Sequence, residues 1–502
     1  MSVVIAIDAG TTGVRSRAIF TDRRASVSSY REFPQYFPQP GWVEHDALEI
    51  LSAVRQTLSD VIAQLATLPD AKIITIGITN QRETVVAWDK STGVPFGRAI
   101  VWQDRRTADR CTELLPMLST VRTTTGLVLD PYFSGSKVQW MIKSGQAPRS
   151  TDLAVGTIDS WIIWNLTGAQ SFVTDPSNAS RTMLFDINNM HWSEQLCNTF
   201  DVPLSSLPTV VPSSGRCGVT QRFTNSDNTA DVNIPGGIPI SGIAGDQQAA
   251  LFGQACFDVG SSKNTYGTGS FVLMNIGTTC PPPTDGMLTT VAWDLGSGKP
   301  TYALEGSIFV TGSAIQWLRD GLNIIDNAAQ VGPLAASVAD SGGVVVVPAF
   351  TGLGSPWWDP HARGIICGIT RGTSRAHIAR AVVQSITFQT RDVVEAMVRA
   401  TGVPLADMRV DGGAAVMDMM LQMQADQLGV TVVRPKDLET TALGAAYLAG
   451  LAEGVWPTLA SITESWHLDR TFTPEPSATS ASEYSQWSRA IQRSLNWTAN
   501  SH

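Results

Sequence analysis

A single carboxylate, that of Asp246, stands in the glycine-rich segment Ser241-Gly-Ile-Ala-Gly-Asp246, after an apolar strand predicted at residues 238–240. A side chain held in a turn at the end of a buried strand has a fixed direction and limited contact with water. A carboxylate in such a place can accept a proton from a substrate hydroxyl. The sequence therefore predicts that Asp246 is a general base.

Three glycine turns provide candidate sites for an anion. They are Asp8-Ala-Gly-Thr-Thr-Gly13, Asn264-Thr-Tyr-Gly-Thr-Gly269 and Asp411-Gly-Gly413, the last before a helix predicted to begin near Ala414. Without a Cβ atom, backbone N–H groups can face a phosphate closely, and a helix N-terminus adds positive dipole character. Taken singly, the first turn is equally well explained as an ordinary hairpin and the third as a helix cap. Three turns at corresponding strand ends predict a nucleotide held between two domains.

Polar and aromatic residues complete the set of candidate functional residues. Arg82 and Glu83 follow a buried strand predicted at residues 73–79, where opposite charges can bind neighbouring hydroxyls or form a surface salt bridge. Trp102 and Tyr132 offer flat, partly polar side chains, which either wall a small pocket or belong to the core. With the base and the phosphate turns, these residues indicate a phosphotransferase that acts on a small polyhydroxylated molecule.

Composition limits the class of protein. A length of 502 residues predicts two or three domains, and 43% hydrophobic with 16% charged residues is typical of a globular enzyme. A net charge of −9 argues against nucleic acid or an anionic membrane as a partner. Without a signal peptide or an apolar segment of membrane-spanning length, and with six scattered cysteines read as reduced thiols, we expect a cytoplasmic protein.

Strands and helices alternate along the chain, which predicts an α/β architecture. The first half reads as a strand, turn and strand over residues 3–20, a helix over 47–65, a strand over 73–79, helices over 105–118 and 138–142, and a buried helix near Ile158. The second half repeats this pattern, with a strand, turn and strand over 262–274 and long helices over 374–401 and 414–428. We expect a boundary near residues 248–258, and a cleft between a substrate-binding domain at 1–250 and a nucleotide-binding domain at 251–502.

At these residues the chain resembles the FGGY family of carbohydrate kinases, and within that family the glycerol kinases. The matching segments cover nearly the whole chain. They are Phe37-Pro-Gln-Pro-Gly-Trp-Val-Glu-His-Asp46, Asn80-Gln-Arg-Glu-Thr84, Asp130-Pro-Tyr-Phe-Ser-Gly135, residues 241–254, Lys263-Asn-Thr-Tyr-Gly-Thr-Gly269, Ile315-Gln-Trp-Leu-Arg-Asp320, Pro348-Ala-Phe-Thr-Gly-Leu-Gly354 and Thr441-Ala-Leu-Gly-Ala-Ala-Tyr447.

The resemblance implies two actin-like ATPase domains of the RNase H type with an interdomain catalytic cleft. It implies ATP-dependent phosphorylation of glycerol to sn-glycerol 3-phosphate, with Asp246 as general base and in-line transfer of the γ-phosphoryl group. The substrate-binding residues implied in this way are Arg82, Glu83, Trp102, Tyr132, Asp246, Gln247 and Phe271.

ATP and Mg²⁺ are the cofactors that the resemblance implies, and a homodimer or homotetramer is the assembly. Asp8 would hold the magnesium. The implied nucleotide-binding residues are Thr11, Thr12, Gly13, Arg15, Thr268, Gly312, Gln316 and Gly413. Met417 and Asp418 stand where the family usually carries asparagines, one of which contacts adenosine, so we expect altered recognition of the base.

Two alternatives remain open at the level of sequence. Another short polyol or triose, such as erythritol or dihydroxyacetone, would use the same fold and base. An ATPase of the actin or Hsp70 type would share the phosphate turns, but it would not need Arg82, Glu83, Trp102 and Tyr132 as a set.

Overall fold

The computed structural model describes residues 1–22, 24–68, 70–224, 232–475 and 480–498. Its strands are β1 Ser2–Ala9, β2 Gly13–Phe20, β3 Val27–Glu32, β4 Glu44–His45, β5 Lys72–Asn80, β6 Val85–Asp89, β7 Ala99–Ile100, β8 Leu153–Thr157, β9 Val173–Thr174, β10 Phe185–Asp186, β11 His191–Trp192, β12 Thr209–Val210, β13 Ser214–Val219, β14 Pro239–Gly245, β15 Ser261–Tyr266, β16 Ser270–Gly277, β17 Leu288–Trp293, β18 Thr301–Ile308, β19 Val345–Val347, β20 Ile365–Cys367, β21 Asp407–Asp411, β22 Val432–Pro435 and β23 Leu468–Phe472.

The helices of the described residues are α1 Ala47–Ala66, α2 Ala108–Glu113, α3 Leu118–Thr125, α4 Ser134–Lys143, α5 Ile158–Leu166, α6 Pro176–Ala179, α7 Glu194–Thr199, α8 Asp246–Gly253, α9 Gly312–Asp320, α10 Val331–Ala336, α11 Arg375–Thr401, α12 Asp418–Leu428, α13 Thr440–Ala452, α14 Leu459–Ser465 and α15 Ser480–Ser494. The predicted α/β architecture is therefore confirmed.

The first large sheet has the strand order β13-β14-β5-β1-β2-β3. Strand β1 pairs antiparallel with β2 and parallel with β5, which in turn pairs parallel with β14. The run of apolar residues in β1 is buried throughout, as expected of a strand covered on both faces. The predicted N-terminal hairpin, the strand at 73–79 and the helix at 47–65 are confirmed.

The second large sheet, ordered β17-β18-β16-β15-β21-β22-β23, repeats this plan. Strands β15 and β16 form an antiparallel hairpin, and β15 pairs parallel with β21. The predicted repetition of strand, glycine turn and strand is confirmed, and so is the long helix α11, which ends at Thr401 and is capped by Gly402 in the left-handed conformation (φ 68°).

Helix α13 comes late in the chain but packs against the first sheet. Gly77 of β5 approaches α13 so closely that an added Cβ would lie 2.0 Å from the Ala445 carbonyl oxygen. Gly444 likewise meets α8, where an added Cβ would lie 1.8 Å from the Ala249 carbonyl oxygen. Just before α13, Asp437 forms a two-point ion pair with Arg17 of β2, at 2.9 and 2.5 Å. A division of the chain near residue 250 remains a prediction.

Three predicted helices differ from the structure. The helix predicted over 105–118 is shorter in the structure, where α2 is followed by a 3-10 turn at Leu115–Met117 and α3 begins only at Leu118; Pro116 lacks the N–H that a continuous helix needs. The helix predicted over 138–142 is longer and begins at Ser134. The helix predicted from Ala414 begins at Asp418, because a 3-10 turn at Gly413–Val416 and the extended Met417 (φ −88°, ψ 92°) come first.

None of the helices that the structure describes is long and apolar enough to cross a membrane. All six cysteines are free thiols. Burial raises the pKa of the Cys256 thiol to about 12, which favours the unreactive protonated form.

Candidate active site

The site is assembled at one edge of the first sheet. In the register of this sheet, Asn80 at the end of β5 lies beside Ala9 at the end of β1 and Gly245 at the end of β14. Because these strands are parallel, the residues that follow them emerge at the same edge. Three parts of the predicted site therefore come together here: the first glycine turn, the pair Arg82 and Glu83, and Asp246. In the sequence, Asp8 and Asp246 are 238 positions apart.

Asp246 is the first residue of α8 rather than part of a turn, so the predicted local conformation is wrong. The strand continues to Gly245 because its small residues pack directly against neighbouring backbone; an added Cβ at Gly242 would lie 2.5 Å from the Ala449 nitrogen. The Gln247 N–H donates to Asp246 Oδ1 at 2.7 Å, and Arg82 Nε lies 3.3 Å from the same oxygen. These contacts fix the direction of the carboxylate, whose side chain is 30% exposed.

Burial raises the pKa of Asp246, while the positive charges of Arg82 and Lys263 oppose the increase. The remaining contributions come from the Gln247 N–H, which lowers the pKa, and from Glu305, which raises it. A carboxylate with a raised pKa is a stronger proton acceptor than an exposed aspartate, which suits the role of general base.

Four buried charged residues alternate in sign beneath Asp246. Arg82 donates to Glu305 through Nη1 at 2.5 Å and Nη2 at 3.1 Å. Arg181 donates to Glu83 from Nε at 2.7 Å and to Glu305 from Nη2 at 2.9 Å. All four side chains are at most 2% exposed. Arg82 and Glu83 therefore do not form the surface salt bridge that was the alternative interpretation.

Within this network, burial raises the pKa values of the two glutamates and the two arginines lower them. Burial by itself raises the pKa of Glu305, but Arg181 and Arg82 outweigh it and lower the pKa to about 2. Burial raises the pKa of Glu83, which the two arginines only partly oppose. Glu83 also has a left-handed backbone (φ 60°), a conformation that non-glycine residues adopt mainly where the surroundings enforce it.

Trp102 and Tyr132 lie together above the network. Their rings are 5.5 Å apart and nearly perpendicular, at 85°. Trp102 Nε1 donates to Thr11 Oγ1 at 3.0 Å, so the indole connects the first glycine turn to this aromatic pair. Arg82 Nη2 lies 3.4 Å from the Tyr132 hydroxyl. Trp102 thus contacts the first glycine turn, and Tyr132 contacts the charged residues.

Strand β15 of the second sheet contributes a buried lysine beside Asp246. Lys263 Nζ donates to Gln247 Oε1 and, at 2.9 Å, to Thr265 Oγ1. Thr265 is paired in the sheet with Phe271 of β16. Gln247, which is predicted to bind substrate, therefore contacts this lysine, and Phe271, which has the same predicted role, lies beside Thr265.

Two of the nucleotide residues predicted in the second half, Thr268 and Gly312, meet at the hairpin turn between β15 and β16. The Gly312 N–H donates to the Gly267 carbonyl at 3.0 Å, and the Thr311 N–H donates to the Thr268 carbonyl at 2.9 Å. Gln316 is exposed one turn further along α9. Gly413 lies beyond the end of β21, which is paired with β15 at the same edge, and has open space on its Cβ side.

In the first half, the turn Gly10–Thr12 closes the hairpin of β1 and β2, with the Gly10 N–H donating to the Gly13 carbonyl at 3.0 Å. Arg15, one of the predicted phosphate ligands, forms an ion pair with Glu439, the residue just before α13. Burial together with the negative charges of Asp246 and Glu439 raises the pKa of Asp8 to about 7, and the positive charge of Arg15 partly opposes the increase. An oxygen ligand among other negative charges suits a hard divalent cation such as Mg²⁺.

Met417 and Asp418, the departures from the family pattern, have structural partners. Met417 lies against α10, where an added Cβ at Gly332 would be 3.4 Å from its Cγ. Asp418 accepts from Arg434 at 2.8 Å and forms an ion pair with Arg470. Asp418 therefore connects α12 to the outer strands of the second sheet.

Sequence reasoning missed three residues of the site: Glu305, Arg181 and Lys263. Glu305 is a lone carboxylate within the buried strand Thr301–Ile308, and this is the signal that could have identified it. Lys263 opens a segment that was recognised as a motif but received no role. Arg181 had no comparable signal, because its partners Glu83 and Glu305 are 98 and 124 residues away.

This arrangement of side chains is suited to removing a proton from a bound hydroxyl group. A hydroxyl-bearing molecule bound between the aromatic pair and Asp246 would meet a proton acceptor, several fixed donors and the two glycine turns. The model for the N-terminal domain of the FGGY family of carbohydrate kinases matches residues 3–253, and the model for the C-terminal domain matches residues 262–453. The chain belongs to the FGGY family of carbohydrate kinases.

Relatives of this FGGY kinase match it over almost its full length. The glycerol kinase of Symbiobacterium thermophilum is 50% identical and covers 99% of both chains. Glycerol kinase 2 of Thermotoga maritima is also 50% identical, with 99% of both chains covered. Such identity over whole chains extends to both FGGY domains.

Solved structures agree with the fold. The crystal structure of Plasmodium falciparum glycerol kinase with ADP is 35% identical, covers 99% of this chain and 98% of its own, and superposes with a TM-score of 0.92. Gluconate kinase from Lactobacillus acidophilus, 21% identical, has a TM-score of 0.86 over 98% of this chain and 96% of its own, and supports the fold alone. The predicted fold class, with two FGGY domains of the actin-like ATPase type, is confirmed.

Proposed function

We propose that this FGGY kinase transfers the γ-phosphoryl group of ATP to glycerol and forms sn-glycerol 3-phosphate. The observation that carries the proposal is the position of Asp246. Its carboxylate is fixed by Arg82 and the Gln247 N–H at the sheet edge from which the first phosphate turn also emerges. Full-length relatives that are 50% identical and named glycerol kinase support the choice of substrate.

The polyol would lie between the aromatic pair and the charged residues. Arg82, Glu83, Tyr132 and Gln247 offer both donors and acceptors, which a molecule with a hydroxyl on every carbon requires. Trp102 and Phe271 would cover its carbon chain. Because the arginines and glutamates are already held by one another, the site does not need to reorganise when the polyol binds.

Asp246 would accept the proton of one terminal hydroxyl as that oxygen attacks the γ-phosphorus in line. A bond forms between the hydroxyl oxygen and phosphorus, the bond from phosphorus to the β,γ-bridging oxygen breaks, and ADP leaves with the electron pair. Trp102, through its hydrogen bond to Thr11, would limit the access of water to the reacting atoms.

ATP would be held by the two glycine turns, with Thr11, Thr12, Gly13 and Arg15 on one side and Thr268, Gly312, Gln316 and Gly413 on the other. The donor chemistry at Asp8 fits Mg²⁺, since a carboxylate near Asp246 and Glu439 has a raised pKa and would gain from a counter-ion. When bound, Mg²⁺ supplies neutralisation of charge on the phosphates.

The cellular setting is part of the same proposal. We place the enzyme in the cytoplasm, where ATP is available, and expect a homodimer or homotetramer, as the resemblance to the family implies. The partners would be small molecules only, since the net charge of −9 does not favour nucleic acid.

Glycerol-dependent release of ADP tests the proposal. Purified protein with Mg-ATP would be assayed with glycerol, erythritol, dihydroxyacetone and xylulose, and without a substrate. We expect kcat/KM for glycerol to exceed that for each other compound. Activity with another polyol alone would assign a different substrate to the same site, and hydrolysis of ATP that is independent of any polyol would favour an ATPase.

A further inference from the structure

Lys263 differs from the other cations close to Asp246 because it forms no ion pair with a carboxylate in the part of the chain that the structure describes. Arg82 is paired with Glu305, and Arg15 with Glu439. Among the described residues, the hydrogen-bond acceptors of Lys263 Nζ are Gln247 Oε1 and Thr265 Oγ1, both uncharged. The negative charges of Asp411 and Asp246 act on this buried ammonium without forming an ion pair with it, so the cost of burying it is only partly offset and its position calls for an explanation.

The lysine also determines the orientation of the Gln247 amide. An ammonium has three donors and no acceptor, so the atom of Gln247 that faces it must be the carbonyl oxygen. The amide nitrogen then points away from Lys263. Within the part of the chain that the structure describes, this nitrogen has no acceptor, while the backbone N–H of the same residue is engaged by Asp246.

We propose that Lys263 is a positioning residue that, by occupying Gln247 Oε1, directs the Gln247 amide nitrogen to the reacting hydroxyl of the substrate. A hydroxyl that accepts from this nitrogen keeps its own proton free to be donated, and Asp246 is the acceptor beside it. The hydrogen bonds therefore run in one direction, from Lys263 through Gln247 and the substrate to Asp246. This inference rests on the proposed phosphorylation of a polyol and adds the residue that sets the direction of proton transfer.

Because Lys263 lies on β15, the orientation of the Gln247 amide depends on how the two sheets are placed relative to each other. Gln247 and Asp246 belong to α8, which follows the first sheet, whereas Lys263 belongs to the second sheet. The amide is therefore oriented only while the two sheets keep their present relation. The positive charge of Lys263 also acts on Asp246, because Lys263 and Arg82 are the two cations that oppose the rise in the pKa of this carboxylate.

A double-mutant cycle tests the inference. Lys263→Met and Gln247→Leu are each expected to lower kcat/KM for glycerol by about 10- to 100-fold, with KM for ATP within about twofold of wild type. If Lys263 acts through Gln247, the double variant loses no more than the worse single variant. Losses that multiply, or a Lys263→Met enzyme with wild-type kcat/KM, would overturn the inference.

Two further variants separate positioning from folding. Lys263→Arg retains a cation that only donates, so we expect it to recover at least part of the activity lost in Lys263→Met. Gln247→Glu keeps an acceptor for Lys263 but removes the amide donor, so kcat/KM should fall about 10-fold or more while the melting temperature is held. Wild-type activity in Gln247→Glu would contradict the role assigned to the amide nitrogen.

Failure of the substrate proposal gives a different result from failure of this inference. If the wild-type enzyme phosphorylates another polyol but not glycerol, the same cycle run with that polyol still reports coupling between Lys263 and Gln247. If glycerol is the substrate and the two variants act independently, the inference alone is wrong.

Discussion

Arg82 and Glu305 form a two-point ion pair, at 2.5 and 3.1 Å, between residues that are 223 positions apart. Arg82 follows β5 of the first sheet, and Glu305 lies in β18 of the second. Neither side chain is more than 1% exposed. A charge contact between the two sheets thus lies directly beneath the proposed polyol site, so damage to it should affect both stability and catalysis.

We expect Glu305→Gln to lower the free energy of unfolding by about 3–5 kcal/mol, because it leaves Arg82 and Arg181 buried with one carboxylate between them. Urea denaturation at pH 7 measures this change. Glu113→Gln, which breaks an exposed ion pair with Arg110, is the matched control and should cost no more than about 1 kcal/mol. Equal losses of unfolding free energy in the two variants would show that the buried ion pairs contribute no more to stability than an exposed one.

The same pair gives a prediction for acid stability. The pKa of Glu305 is about 2 in the folded protein, below the ordinary value of 4.5. Its ionisation therefore stabilises the fold fully above pH 4.5 and less as the pH falls toward about 2. We expect the stability difference between wild type and Glu305→Gln to be constant from about pH 7 to pH 5 and to shrink below that range. A difference that disappears already at pH 6 would contradict the lowered pKa.

Asp246→Asn should lower kcat by about 10²- to 10⁴-fold, since the amide cannot accept the hydroxyl proton. Binding of Mg-ADP should be largely unchanged, because Asp246 is proposed to act on the polyol. A coupled assay gives turnover, and calorimetric titration gives nucleotide affinity. Turnover close to wild type would remove Asp246 from its assigned role, whereas loss of both properties would point to misfolding.

The pH dependence of kcat/KM should be bell-shaped. On the acid side activity rises as Asp246 loses its proton, at a pH above the ordinary aspartate value because burial raises its pKa. On the alkaline side it falls near pH 8, because burial lowers the pKa of Lys263 to about 8 and the neutral amine is a weaker donor to Gln247. The charged groups that act on Asp246 here include Arg82, Lys263 and Glu305.

Lys263→Arg separates the two limbs of this profile. An arginine stays charged throughout the measurable range, so the alkaline limb near pH 8 should disappear while the acid limb remains. In Lys263→Met the acid limb should move to higher pH, because one of the charges that lower the pKa of Asp246 is gone. An unchanged acid limb in Lys263→Met would show that the charge of the lysine does not affect the pKa of Asp246.

Gly312→Ala tests the nucleotide turn. An added Cβ would lie 2.6 Å from the Gly267 carbonyl oxygen, so the turn that carries Thr268 must shift. We expect KM for ATP to rise about tenfold or more and KM for the polyol to change little. Gly372→Ala is the control, since the nearest atom to its Cβ would be 3.8 Å away. A rise in both KM values would indicate a general disturbance rather than a nucleotide contact.

The strand ends of the site could be predicted from the sequence, because apolar runs next to glycines are local signals. The two hairpins and the strand before Arg82 were found in this way. The helical position of Asp246 was not, since the glycines before it suggested a turn, although Gly242 serves close packing against α13 and Gly245 close packing against the Arg82 side chain. Glu305, Arg181 and Lys263 were missed because a buried charge is recognised by its partners, and those partners lie on other elements. Roles for the predicted site residues rest on the experiments above.

The close packing of α13 against the first sheet also has a consequence for biosynthesis. The strands of that sheet have all been made by Gly245, yet the helix that covers Gly77 of β5 and Gly242 of β14 ends at Ala452. More than 200 residues must leave the ribosome before this face of the sheet is shielded. A growing chain therefore carries this face of the first sheet without its helical cover, and the packing of the sheet is completed only after α13 has been made.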